Sequence, residues 1–113
     1  MSIANLQWMD WEKEVLKRTE PVIVEFWHQN CPTCLKIEST VKELPNKFGS
    51  KVKLMKMNVL ENKENRKLAI QNGVMGTPTF KIYCRGAEVG EVVGLEATTE
   101  LYEKILQVIN KCQ

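Results

Sequence analysis

Six consecutive residues, Val22-Ile23-Val24-Glu25-Phe26-Trp27, hold five apolar side chains and one carboxylate. This run limits the fold more than any other feature of the chain. A strand with one wet face alternates apolar and polar residues, whereas a near-continuous apolar run suits a strand buried on both faces. Such a strand needs a covering layer on each side, and the rest of the chain offers helices for that purpose. With 113 residues there is room for one compact unit with a sizeable core. A single domain spanning 1–113 is therefore expected, and no repeat, linker or low-complexity segment divides it.

Helical and extended patterns alternate along the chain. Residues 10–18 read as a helix, with Asp10 as its cap and Trp11, Val15 and Leu16 on one side. After the strand 22–27 and the polar loop His28-Gln29-Asn30, a second helix places Cys34, Ile37, Val41 and Leu44 at helical spacing before Pro45. Val52 to Val59 reads as a strand. Asn62 to Gln71 reads as a polar helix with Leu68 and Ile70 as its few apolar residues, stopped by Gly73. Thr79 to Cys84 and Glu88 to Val93 are strands joined by the hairpin signal Arg85-Gly86. A last helix, from about Thr99 to Lys111, aligns Leu101, Ile105, Val108, Ile109 and Cys112. The order α-β-α-β-α-β-β-α argues for an α/β sheet closed by an antiparallel hairpin.

The chemistry is carried by Cys31-Pro32-Thr33-Cys34, which follows the buried strand and opens a helix. Pro32 suits a first-turn position, where its missing N–H would be unpaired anyway. Residues i and i+3 are neighbours on a helix, so Cys31 and Cys34 can join without refolding the backbone. Unpaired N–H groups and the positive dipole end stabilise an anion at the first cysteine. Cys31 is thus expected to ionise below the ~8.5 of a free thiol, and Cys34, one turn inside, to be more buried and to act second.

With these residues in place, the chain resembles the thioredoxin family over nearly its whole length. The motifs are the strand 22–27 feeding Cys31-Pro32-Thr33-Cys34, the strand end Lys56-Met57-Asn58-Val59, Gly76-Thr77-Pro78-Thr79, and Gly94. The resemblance implies the thioredoxin fold, a central mixed β-sheet flanked by α-helices. It implies a protein disulfide oxidoreductase with a redox-active Cys31–Cys34 disulfide. It also implies a cis Pro78 lying across from the cysteine pair, a buried acid at Glu25, and a lysine, Lys56, that partners it. Substrate contacts would come from Trp27, Asn30, Pro32, Thr33, Gly76, Thr77, Pro78 and Gly94. The implied partners are protein disulfide substrates and a thioredoxin-reductase-type electron donor, with no cofactor and no metal. Six positions depart from the family pattern. Asn30-Cys31-Pro32-Thr33-Cys34 replaces Trp-Cys-Gly-Pro-Cys, Glu25 replaces Asp, Ser39 replaces a kink proline, and Thr77 replaces Ile. These positions tune potential and recognition, and potentials across the superfamily range from about −270 to about −120 mV.

Other readings stay open beside this one. The Cys-Pro-x-Cys order is more like glutaredoxins and favours a glutathione-dependent oxidoreductase. The absence of tryptophan at Asn30 favours a redox-dependent binding module without turnover. A zinc site would need two ligands beyond Cys31 and Cys34, and the spacings of His28, Cys84 and Cys112 match no zinc pattern. Cys84 and Cys112 stand alone in sequence and read as structural thiols, while Trp8 and Trp11 read as packing residues. His28 reads as a loop residue, with tuning of Cys31 as its alternative role. The net charge of +2, with both signs mixed along the chain, gives no basic stripe for nucleic acid and no polybasic patch for a membrane. No apolar run approaches the roughly 20 residues of a membrane span, and no secretion signal is read at the start. A cytoplasmic monomer is the expectation.

Overall fold

A computed structural model describes residues 3–112. Its sheet has the strand order β1-β3-β2-β4-β5, with β1 Ala4–Asn5, β2 Val22–Trp27, β3 Lys53–Asn58, β4 Thr79–Cys84 and β5 Ala87–Val93. β1 and β2 run parallel to β3, while β4 is antiparallel to β2 and β5 to β4. The sheet is therefore mixed, and β2 lies at its centre.

Period-two alternation divides the core into two layers. Ile23, Leu54, Phe80 and Ile82 face α2 (Glu38–Phe48) and α4 (Leu101–Ile109), where Val41, Leu44, Leu101 and Ile105 complete one cluster. Val22, Val24, Phe26, Met55, Met57 and Tyr83 face α3 (Lys63–Gln71) and the N-terminal segment, meeting Ala69, Leu6, Trp11 and Val15. By the same alternation Glu25 shares a face with Ile23, and Lys56 with Leu54. The only charged residue of β2 thus lies inside the layer capped by the cysteine-bearing helix.

Several expectations are corrected. The segment 10–18 is not an α-helix: Trp8–Asp10 forms a 3-10 turn, and Glu12–Leu16 a π-turn closed by Lys17 N–H donating to Glu12 O at 2.9 Å. Asp10 lies within the first turn, where its carboxylate accepts from Gln7 N–H. The wider turn buries Trp11 and Val15 but leaves Leu16 45% exposed, and Trp8 is 42% exposed rather than packed. The short β1 carries too few residues for any periodicity to register. Pro45 does not stop the second helix. α1 (Pro32–Lys36) ends at Ile37, and α2 continues through Pro45 to Phe48, whose ring lies 4.8 Å from that of Tyr102. The helix breaks at Ile37 although Ser39 occupies the place of the family's proline. In α3, Ala69 and Asn65 are buried, while Ile70 is 61% exposed. Asn65 is buried because it closes a polar cluster, accepting from Trp8 N–H at 2.9 Å and donating to Asn58 O at 3.1 Å.

Cys84 and Cys112 are bonded to each other, not separate thiols, with Cα atoms 5.7 Å apart. β4 and the end of α4 reach the same place only through the tertiary fold, so a separation of 28 residues concealed the pair.

The hairpin turn is as read. Arg85 and Gly86 both have left-handed φ, 50° and 85°. A Cβ on Gly86 would also lie 2.5 Å from the Leu16 carbonyl oxygen. Gly86→Ala is therefore expected to cost on the order of 2 kcal/mol, combining left-handed strain with a backbone clash. Urea denaturation checks this, and an unchanged midpoint would contradict the close approach.

Candidate active site

β2 and the loop 28–30 deliver Cys31 to the start of α1, where it serves as the N-cap with extended backbone. Its own N–H donates to His28 O at 3.3 Å, and Leu35 N–H donates to its carbonyl at 3.1 Å. Pro32 follows at the first helical position. Cys34 N–H donates to Cys31 Sγ at 3.1 Å, so a backbone dipole points at this sulfur and stabilises negative charge on it. Cys31 and Cys34 are disulfide-bonded, with Cα atoms 5.2 Å apart. The two residues are equally buried, each 4% exposed, so the expected deeper burial of Cys34 does not distinguish them. Their difference lies in position on the helix: one sulfur accepts the terminal N–H, and the other belongs to the residue that donates it.

β4 starts beside the same strand end, because Phe26 pairs with Thr79. Pro78, immediately before Thr79, is buried, and the Thr77–Pro78 peptide is cis, as the resemblance implies. Thr79 Oγ1 donates to Gly76 O at 2.6 Å, and Gly94 N–H donates to Pro78 O at 2.8 Å. These bonds fix the segment Gly76-Thr77-Pro78 from both sides. Asn30, Pro32 and Gly76 are exposed on the rim, while Trp27, Thr33, Thr77 and Gly94 are half-buried.

Within β2, Glu25 is 2% exposed, and its Oε1 is buried without a hydrogen-bond partner. Removal from water raises its pKa from the ordinary 4.5 to about 7; Lys56 works against the rise and Glu38 adds to it. Glu25 and Lys56 are register partners on β2 and β3. The Lys56 ammonium sits 4.1 Å from the centroid of the Trp27 ring and acts on Glu25 through space. Trp27 Nε1 is itself buried and unpartnered.

The sequence reading missed the groove beside this site. His28, Leu60, Arg66, Ile70, Met75 and Thr77 line an open groove of about 390 Å³. Met75 is 99% exposed. The signal was present as apolar residues, Ile70, Val74 and Met75, in a stretch that leads directly into Gly76-Thr77. His28 has a defined role in the loop, its Nδ1 accepting from Asn30 N–H at 3.1 Å. Asn58 donates to Gln29 Oε1 at 3.0 Å and ties the loop to the end of β3. Cys84 cannot complete a metal shell with Cys31 and Cys34. It lies at the opposite end of β4 from Thr79 and is bonded to Cys112.

Comparison with known proteins agrees with this geometry. The thioredoxin family model matches residues 2–107. A thioredoxin of Rickettsia bellii is 33% identical over 102 residues, covering 90% of this chain and 94% of its own. A thioredoxin of Acetoanaerobium sticklandii is 32% identical over 96 residues, covering 85% and 89%. One of Griffithsia pacifica is 33% identical over 94 residues, covering 83% and 84%. With its paired cysteines opening a helix after a central strand, the chain belongs to the thioredoxin family, whose members are protein disulfide oxidoreductases.

Proposed function

We propose that this chain acts as a single unit that reduces protein disulfides, with Cys31 as nucleophile and Cys34 as resolving thiol. The Cys31 thiolate attacks one sulfur of a partner disulfide and expels the other as a thiolate, leaving a mixed disulfide. Cys34, deprotonated, then attacks Cys31 Sγ, which releases the second partner thiolate and closes Cys31–Cys34. Two electrons pass from the chain to its partner, and a dithiol donor of the thioredoxin-reductase type restores them. Glu25 accepts the proton that Cys34 loses, directly or through one water, and Lys56 biases Glu25 toward its charged form. The partner's backbone lies along Thr77 and Pro78, with Trp27, Asn30, Pro32, Thr33, Gly76 and Gly94 around it. None of the helices described is long and apolar enough to cross a membrane, and a cytoplasmic monomer suits this role.

The observation that supports this reading most directly is the Cys34 N–H directed at Cys31 Sγ, in a chain whose buried Glu25 keeps one carboxylate oxygen, Oε1, without a hydrogen-bond partner. Reduction of a generic protein disulfide, coupled to NADPH through a thioredoxin reductase, tests it. Turnover with that donor and little with glutathione plus glutathione reductase is the expected result. The reverse preference would select the glutaredoxin-like reading, and inactivity with both donors and with dithiothreitol would select the binding module.

A further inference from the structure

The bond between Cys84 and Cys112 lies far from the first cysteine pair. β4 runs antiparallel to β2, so Thr79 lies beside Phe26 near the Cys31 end, and Tyr83 lies beside Val22 at the other end. Five strand steps separate Thr79 from Cys84, about 17 Å along β4. Cys31 and Cys34 therefore cannot exchange with this bond within one chain.

What the bond holds is also local. The first half of α4 is anchored by the core residues Leu101 and Ile105 and by the contact of Tyr102 with Phe48. Beyond Ile105 the helix rests on Val108, packed so tightly over Gly90 that a Cβ there would lie 2.7 Å from Val108 Cγ1. The half-buried Ile109 also packs against the core cluster. Past Ile109 the chain turns through Lys111 N–H to Val108 O and Cys112 N–H to Ile109 O, and the disulfide then ties it to β4. Cys84 is 6% exposed, whereas Cys112 is half-buried and is the more accessible residue of the pair. In a thiol-rich compartment a bond of this kind exchanges rather than persists.

We propose that Cys84–Cys112 is a second redox couple, opened by small thiols of the glutathione class through Cys112, and that it latches the last turn of α4 to the sheet. The thiol's thiolate attacks Cys112 Sγ, the Cys84–Cys112 bond breaks, and Cys84 leaves as a thiolate that takes up a proton. Cys112 then carries a glutathionyl group. A second glutathione thiolate attacks the glutathionyl sulfur, releasing the Cys112 thiolate and forming glutathione disulfide. Two electrons enter the chain, and oxidised glutathione reverses both steps.

The test uses the full chain with Cys31→Ser and Cys34→Ser, so that its outcome is independent of exchange at the first pair. The native protein is equilibrated in buffers of graded reduced and oxidised glutathione, alkylated and mapped by mass. Hydrogen exchange is followed in parallel. Cys84 and Cys112 are expected to become alkylated together within this buffer range, with a glutathionyl adduct at Cys112 at intermediate ratios. Amides of residues 106–112 should then exchange about tenfold faster or more, while those of 22–27 stay protected. Cys112→Ser should show the same fast exchange in every buffer; should that variant fail to fold, the comparison of oxidised with reduced Cys31→Ser/Cys34→Ser protein decides alone. A bond that resists the most reducing glutathione buffer until the chain unfolds would overturn the proposal. So would an adduct confined to Cys84, or opening that leaves residues 106–112 as protected as before.

Discussion

Cys34→Ser is expected to convert turnover into a trapped covalent complex, with a partner protein held through Cys31, while Cys31→Ser removes reduction altogether. The two bonded cysteines are three residues apart and equally buried, so burial alone would predict similar phenotypes. The difference comes from the Cys34 N–H, which stabilises negative charge on Cys31 Sγ, while no hydrogen bond to Cys34 Sγ is found among the described residues. Loss of a covalent nucleophile lowers activity on the order of 10³-fold or more. Loss of the resolving thiol leaves the first attack intact, so the mixed disulfide accumulates to about one per chain. Non-reducing electrophoresis of each variant, mixed with an oxidised substrate protein, reads both outcomes. If Cys34→Ser turned over like the parent, or if Cys31→Ser trapped the complex instead, the assignment of the two steps would be wrong.

The sequence made the centre of the molecule legible because its signals there are strong and local. Five apolar residues in six fix β2 to the residue, Arg85-Gly86 fixes the hairpin, and Gly73 with φ 79° ends the region of α3. The buried acid was readable as the odd residue in an apolar run, and the cysteine pair from its spacing at a helix start just after that run. Errors fell where distant contacts override local preference. Trp11 joins the core through Phe26 and Tyr83, with ring centroids 6.1 and 5.2 Å away. That anchoring accompanies a tight turn and a π-turn in place of a regular helix. Pro45 read as a stop, yet α2 continues past it to the contact between Phe48 and Tyr102. The groove lined by Ile70 and Met75 and the Cys84–Cys112 bond join residues from separate elements, and no periodicity reports such meetings. Lys81 belongs with them. It is buried inside β4, yet it is paired with Glu88 at 3.0 Å and Glu91 at 2.8 Å from the neighbouring strand.

Glu25→Gln should make the protein more stable at pH 8 and slower in the second half of the reaction, and the two effects share one cause. Burial raises the Glu25 pKa from 4.5 to about 7, so between these values the folded chain holds a proton that the unfolded chain has released. Stability then falls as pH rises through this window and levels off above it. A shift of this size corresponds to about 3 kcal/mol of stability present below pH 4.5 and lost above pH 7. Glutamine has no proton to release, so the variant should lack this slope. It should match the parent near pH 4 and exceed it by up to about 3 kcal/mol at pH 8. The same carboxylate is the proposed acceptor for the Cys34 proton, and it serves only when ionised. Release of the mixed disulfide should therefore accelerate in the parent with an inflection near pH 7. In Glu25→Gln the inflection should vanish and release should slow by about 10²-fold, a usual contribution of a positioned base. The first attack, at Cys31, should be unaffected. Urea titrations at pH 4, 5.5, 7 and 8, together with stopped-flow kinetics of both steps, separate these effects. An unchanged pH slope would show that Glu25 is not held neutral by burial. A stabilised variant with unimpaired release would show that its proton takes no part in the exchange.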